Sequence, residues 1–184
     1  DPLRLVGSEM CIRVSQIADA IPPAGCDNQR GGWYDMMERT LKDGEDHYRR
    51  VWHDRKAWWQ QEQGILAYYI KAGVYDDKPE DLRFAREGSA FYNGWVLDYE
   101  QGGVYFNVLA NGQPYALGSE RGKGSHSMAG YHSFELCFLA AIYSNLLVNK
   151  MPMDFFFKPE PNAWPDNKLR VAPDLLPPGS IELA

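Results

Sequence analysis

Asp27-Asn28-Gln29-Arg30-Gly31-Gly32-Trp33-Tyr34 returns 71 residues further on as Asp98-Tyr99-Glu100-Gln101-Gly102-Gly103-Val104-Tyr105. The shared positions are an aspartate, a Gly-Gly pair and a tyrosine. Glycine permits the left-handed backbone of a tight turn, and an aspartate can hold such a turn through its own backbone N–H groups. Each copy follows an apolar run at helical spacing and leads, about 30 residues on, into another such run. One unit is therefore a helical hairpin carrying a β-loop at one end. Repeated helical hairpins bury their inner faces by closing on each other, which predicts an all-α chain built as an α/α toroid with its loops on one rim. The opposing reading is a chance coincidence of two Gly-Gly pairs. On the repeat, Asp27 and Asp98 should each clamp their own turn rather than face the centre of the toroid.

Working outward, Trp58-Trp59-Gln60-Gln61-Glu62-Gln63 opens the run Trp58, Trp59, Glu62, Ile65, Leu66, Tyr69, Ile70, whose spacings of three and four share one helix face. Asp54 is its predicted N-cap and Gly73 its predicted end. Upstream, Leu5, Met10, Ile12, Val14, Ile17, Ala18 and Ile21 predict a first helix stopped by Pro22-Pro23, and Trp33 to Met37 reads as extended. Downstream, Pro79 suits the first position of a third helix with Leu82, Phe84, Ala85, Ala90, Phe91 and Trp95 on its apolar side. Asn111-Gly112 signals a hairpin between two short strands. The last helix begins near Tyr131 and carries Phe134, Leu136, Cys137, Phe138, Leu139, Ile142, Leu146 and Leu147, so it is expected to be the most buried. Prolines recur from Met151 to Ala184, which predicts an extended segment lying across the surface. The expected organisation is a toroid portion over 1–150 and a proline-rich tail over 151–184.

A chain of 184 residues suits one domain. A net charge of −6 with dispersed basic residues argues against nucleic acid, and 14% aromatic content suits a ring-lined cleft for a neutral ligand. The longest apolar run, from Phe138 to Val148, is interrupted by Ser144 and Asn145 and is too short to span a membrane. Cys11, Cys26 and Cys137 lack metal-ligand spacing and cannot all pair, so reduced thiols in a cytoplasm are expected. The sequence starts at Asp1, within an apolar-periodic pattern, and is expected to be part of something longer.

A carboxylate beside two indoles is poor core material but good lining for a polar cleft: indole faces pack on sugar C–H patches while amides and carboxylates bond hydroxyls. The plainer alternative is an amphipathic helix whose Trp pair is core and whose Gln/Glu edge is solvated. Among the four histidines, His132 opens the last helix in Gly130-Tyr131-His132-Ser133-Phe134-Glu135, at the expected rim. There it can serve as acid or base, or simply bond its own turn. His126 and His132 do not have metal-ligand spacing, and neither a Gly-x-Ser-x-Gly nucleophile motif nor a phosphate loop is present.

The Trp-Trp-x-Gln helix at Trp58, Trp59 and Gln61, the two Asp-x-x-x-Gly-Gly loops and Tyr131-His132 together resemble the C-terminal half of the N-acylglucosamine 2-epimerase superfamily, over roughly residues 1 to 150. That superfamily includes cellobiose 2-epimerases and aldose-ketose isomerases on an (α/α)6 barrel. The resemblance implies half of such a barrel, with short β-hairpin loops on one rim. It implies proton transfer beside a sugar carbonyl by two histidines, without a metal or cofactor. The histidine of the Tyr-His motif falls on His132, and the second belongs to the other half of the barrel. On this footing His132 and Glu62 are the expected catalytic residues, and Trp58, Trp59, Gln61, Gln63 and Tyr131 the expected sugar-binding ones. The sequence departs from the family at Gln63, where a glutamate is usual, and at Ser127, where a tryptophan is common. Expected partners are the sugar, the remaining half of the barrel, missing here or carried on a separate polypeptide, and further copies of the chain. The alternative function is a non-catalytic sugar-binding or scaffold member of the same fold. An (α/α) glycoside hydrolase would need a second carboxylate across the cleft from Glu62.

Overall fold

Helix α2, Trp58–Ile70, lies at the centre of the molecule and packs on α3, Pro79–Phe91, on one side and on α4, Tyr131–Tyr143, on the other. The computed structural model describes residues 15–75, 78–124 and 127–158, with single positions at 160 and 182. Helix α1 covers 15–25, and two three-residue strands, β1 (Arg55–Ala57) and β2 (Asn107–Leu109), pair antiparallel with Lys56 opposite Val108. This is an all-α chain in which the strands only tie loops together: two helical hairpins side by side, a portion of an α/α toroid.

The repeat predicted from the sequence is present in hydrogen-bonded detail. In the first loop the Asp27 N–H donates to Gly32 O (2.9 Å) and Cys26 bridges Trp33; in the second the Asp98 N–H donates to Gly103 O (3.0 Å) and Leu97 bridges Val104. All four glycines take positive φ, between 74° and 87°, a region that would strain any residue with a Cβ. As expected, Asp27 Oδ1 accepts the N–H groups of Gln29 and Arg30, and Asp98 Oδ1 those of Glu100 and Gln101. A lysine completes each clamp: Lys56 Nζ donates to Asp27 Oδ2 (2.7 Å) and Gly31 O, and Lys123 Nζ to Asp98 Oδ2 (2.7 Å) and Gly102 O.

The core lies between the hairpins. Trp33, carried out of the first Gly-Gly turn, wedges between α2 and α3, where a Cβ on Gly64 or Gly88 would meet its ring at 2.7 and 2.4 Å. Tyr68 stacks on the same indole, with ring centroids 5.7 Å apart. Ile65, Leu66, Phe84, Phe91, Val96, Leu136 and Ile142 fill the rest. Helices α2, α3 and α4 each continue into a wider five-residue turn, at Lys71–Tyr75, Tyr92–Val96 and Ser144–Val148. In the last two the following N–H reaches back five residues, from Leu97 to Tyr92 O and from Asn149 to Ser144 O.

Several local expectations are corrected. Pro22-Pro23 does not stop α1, because a proline's carbonyl still accepts and the Cys26 N–H bonds Pro22 O at 3.1 Å. Asp54 does not cap α2: strand β1 intervenes, and the Trp58 N–H is taken by Phe106 O across the ladder at 3.0 Å. Gly73 does not end α2; it lies in the wide turn, where a Cβ would fall 2.3 Å from Leu147 Cβ. Asn111-Gly112 makes its tight turn, with Leu109 N–H on Gln113 O, but the regular partner of β2 is β1. Pro79 opens α3 as expected. Helix α4 is not the most buried element: Phe134 and Phe138 are 78% and 59% exposed, because among the described residues α2 is the main helix packed against α4. The residues Leu5 to Val14 of the first predicted helix, Cys11, and positions 159, 161–181 and 183–184 of the proline-rich segment lie outside the described residues.

Candidate active site

The N-terminal turns of α2 and α4 open on the same side, beside the β1–β2 ladder, and bound a cleft of about 490 Å³. Its walls are Trp58, Trp59, Phe106 and Trp52, and its polar lining is Asp35, Arg55, Asn107, Glu120, Ser127 and His132. The strand pairing of Ala57 with Asn107 sets this arrangement, because it brings the start of α2 against the second loop. Trp58 packs on Phe106 with centroids 4.5 Å apart.

The predicted residues divide by position. His132 stands in the cleft with its ring 6.1 Å from each of the Trp58 and Trp59 rings. Tyr131 is exposed outside it, its ring 3.9 Å from that of His132. Gln63 reaches the histidine from α2: its Nε2 lies 3.3 Å from His132 Nδ1 and 2.9 Å from Glu135 Oε2. Glu62 sits one turn below Trp58 and is fully buried, so it does not line the cleft. Its Oε1 accepts from Tyr92 Oη at 2.5 Å and Ser133 Oγ at 2.7 Å, while Oε2 has no partner among the described residues. Burial raises the Glu62 pKa above the usual carboxylate range, and the hydrogen bonds from Tyr92 and Ser133 and the nearby His132 only partly offset it. Gln61 is not brought to the cleft. Its Nε2 donates to Trp33 O and Ala57 O, and its Oε1 takes the Trp33 N–H at 2.7 Å. Because α2 is enclosed on two sides, this amide serves as a backbone partner for the first loop.

Sequence reasoning missed the charged side of the cleft. Arg55 Nε donates to Asp35 Oδ2 (2.6 Å) and its Nη1 to Glu120 Oε2 (2.8 Å), with the guanidinium 4.8 Å from the Trp52 ring. Burial works against the charge on Arg55, but the carboxylates of Asp35 and then Glu120 more than compensate, holding its pKa above the ordinary value. Nothing in spacing announced this triad, since its members lie 20 and 65 residues apart. Ser133 and Lys56 had a faint signal, adjoining His132 and the Trp58 helix, and each clamp aspartate needed a counter-charge.

The paired helical hairpins are a portion of an α/α toroid, and the cleft on their rim has one aromatic wall and one charged wall. The chain is similar in structure to a sugar epimerase from a ruminal bacterium, at a TM-score of 0.50 and 14% identity over 74% of this chain and 30% of that one. It is also similar to the cellobiose 2-epimerases of Bacillus thermoamylovorans B4167 (TM-score 0.49, 20% identity, 66% of this chain and 27% of that one) and Spirochaeta thermophila DSM 6192 (0.48, 16%, 81% and 37%). At such identities the likeness to the ruminal enzyme shows the fold. The chain spans 27% to 37% of the length of these three structures. No protein-family model and no curated protein matches it. No helix among the described residues is long and apolar enough to cross a membrane.

Proposed function

We propose that the chain is a C-terminal portion of a sugar 2-epimerase or aldose-ketose isomerase. The observation that carries this reading is His132 in a cleft between two indoles, on a fold shared with a sugar epimerase. The chemistry is proton transfer beside a carbonyl. A base takes the proton on the carbon next to the carbonyl, the C–H electron pair moves into the C–C bond, and the carbonyl oxygen gains the charge. Return of a proton to the opposite face of that carbon gives the 2-epimer; return to the former carbonyl carbon, with the proton of the neighbouring hydroxyl passing to the former carbonyl oxygen, gives the isomer. His132 transfers one of these protons, Trp58 and Trp59 supply the platform, and Gln63 and Tyr131 set the ring of His132. Glu62 acts from beneath as an orienting group, holding the start of α4 through the hydrogen bond it accepts from Ser133, next to His132. The opposite-face group comes from the remainder of the toroid, which also covers Phe134 and Phe138 on α4. The free thiols of Cys26 and Cys137 support a reducing compartment such as the cytoplasm.

Intact protein incubated with aldoses and ketoses in deuterated water should place deuterium on the carbon beside the carbonyl of its substrate, C2 of an aldose or C1 of a ketose. His132→Asn should abolish that exchange while leaving sugar binding within a few-fold, because the lost interaction belongs to the transition state. Equal exchange in variant and wild type would remove His132 from the reaction. A second reading, a sugar-binding member without turnover, is favoured by one contact, the Gln63 amide on His132 Nδ1. Saturable sugar binding with no exchange would establish it.

A further inference from the structure

We propose that the Gln63 amide, oriented by Glu135, holds His132 in its Nε2–H form, so that the ring meets a ligand as a hydrogen-bond donor and takes up a proton only after the amide turns over. Gln63 Nε2 stands within reach of two groups at once, Glu135 Oε2 at 2.9 Å and His132 Nδ1 at 3.3 Å. A carboxylate only accepts, so the amide must present its NH2 to Glu135; turned over, its Oε1 would face the carboxylate oxygen. With the NH2 so placed, its second hydrogen points to Nδ1, which must then be the ring's acceptor. Hydrogen on Nδ1, in the other neutral tautomer or in the imidazolium, would set donor against donor. The ring hydrogen therefore sits on Nε2, the nitrogen left for the cleft beside Trp58 and Trp59.

The consequence for chemistry is direct. A neutral imidazole with hydrogen on Nε2 has no lone pair there to receive a proton, and giving up that hydrogen would leave an imidazolate. In this state His132 can bond a carbonyl or hydroxyl oxygen and polarise it. To act as a base it must move its hydrogen to Nδ1, which requires the Gln63 amide to rotate away from Glu135. Gln63 and Glu135 are thus positioning residues that set the balance between binding and turnover. Among the described residues, Glu62 lies buried beneath the ring and Tyr131 is tilted against it from outside. The part of this inference that concerns a sugar rests on the function proposed above; the tautomer does not.

Ring-nitrogen NMR on protein carrying 15N-histidine tests it without any sugar, the His132 signals being those lost in His132→Asn. Wild type at neutral pH should show a protonated Nε2 and a bare Nδ1. Gln63→Glu should exchange the two, since a carboxylate accepts from Nδ1–H, and Glu135→Gln, which removes the reason for the amide's orientation, should show both forms. A hydrogen on Nδ1 in wild type, or an unchanged pattern in both variants, overturns the proposal; the wild-type spectrum decides even where a variant does not fold. Where sugar exchange is measurable, Gln63→Glu should speed it by on the order of 10²-fold. An unaltered rate with the tautomer exchanged overturns the part assigned to turnover. Absence of exchange and of binding with every sugar would count against the sugar reading, and the NMR result would stand apart from it.

Discussion

The two turn clamps share a plan but differ in burial, and that difference sets their worth. Lys56 and Asp27 have side chains 0% and 6% exposed, whereas Lys123 retains 26%. Removing one partner of a buried pair strands the other charge, so Asp27→Asn should destabilise the fold by about 3–5 kcal/mol in urea melts. Asp98→Asn should cause a clearly smaller loss, and an equal loss would show that burial is not the controlling variable. Burial pushes the Asp27 pKa up, but the hydrogen bonds from Lys56 and from the Gln29 and Arg30 N–H groups outweigh it, and the folded value lies below the usual one. The folded state therefore holds this proton less tightly than the unfolded chain. Its stabilising contribution is complete above the unfolded value of about 3.9 and is lost as pH falls through the depressed folded value. Acid titration of stability should accordingly fall less steeply in Asp27→Asn than in wild type.

At the scale of elements, helix α2 is defined by what approaches it. Glycines at 64 and 88 let the Trp33 indole lie between α2 and α3, and Gly73 lets the turn after α2 touch Leu147. Gly88→Ala should destabilise by about 1–3 kcal/mol through overpacking, although alanine favours helix by about 1 kcal/mol. Gly94, exposed with nothing within 4 Å of a Cβ, is the matched control and should accept alanine without loss. Similar thermal midpoints for the two variants would show that Trp33 is not tightly held.

For the whole molecule, the decisive feature is the one-sided packing of α4. Phe134 and Phe138, one turn apart, present a face that the proposed remainder of the toroid would cover. Alone at rising concentration, the chain should associate in light scattering, and Phe134→Ser with Phe138→Ser should suppress this without lowering the melting temperature, since neither ring lies in the core. Persistent association in the double variant would move the sticky surface elsewhere.

The elements and the clamped turns were legible in the sequence because they rest on local chemistry. Helical periodicity, Pro79 at a helix start, Asn111-Gly112 and the Asp-x-x-x-Gly-Gly turns each act within a few residues. The helix opening at Tyr131 followed from its own apolar spacing, and the place of His132 on the rim from the repeat, which carries long-range information as symmetry. What only the tertiary structure decided is which polar groups of α2 face the cleft. Gln61, Glu62 and Gln63 are consecutive and chemically alike, yet one holds the Trp33 backbone, one is buried under Tyr92 and Ser133, and one holds His132. Successive residues on a helix point about 100° apart, so their roles depend on which neighbours surround that helix, and those neighbours come from loops and helices distant in the chain. The lysines of the clamps and the Arg55 triad escaped for the same reason. Their partners lie 20 to 65 residues away, and no local preference marks a charge as paired until the fold brings its counter-charge within reach.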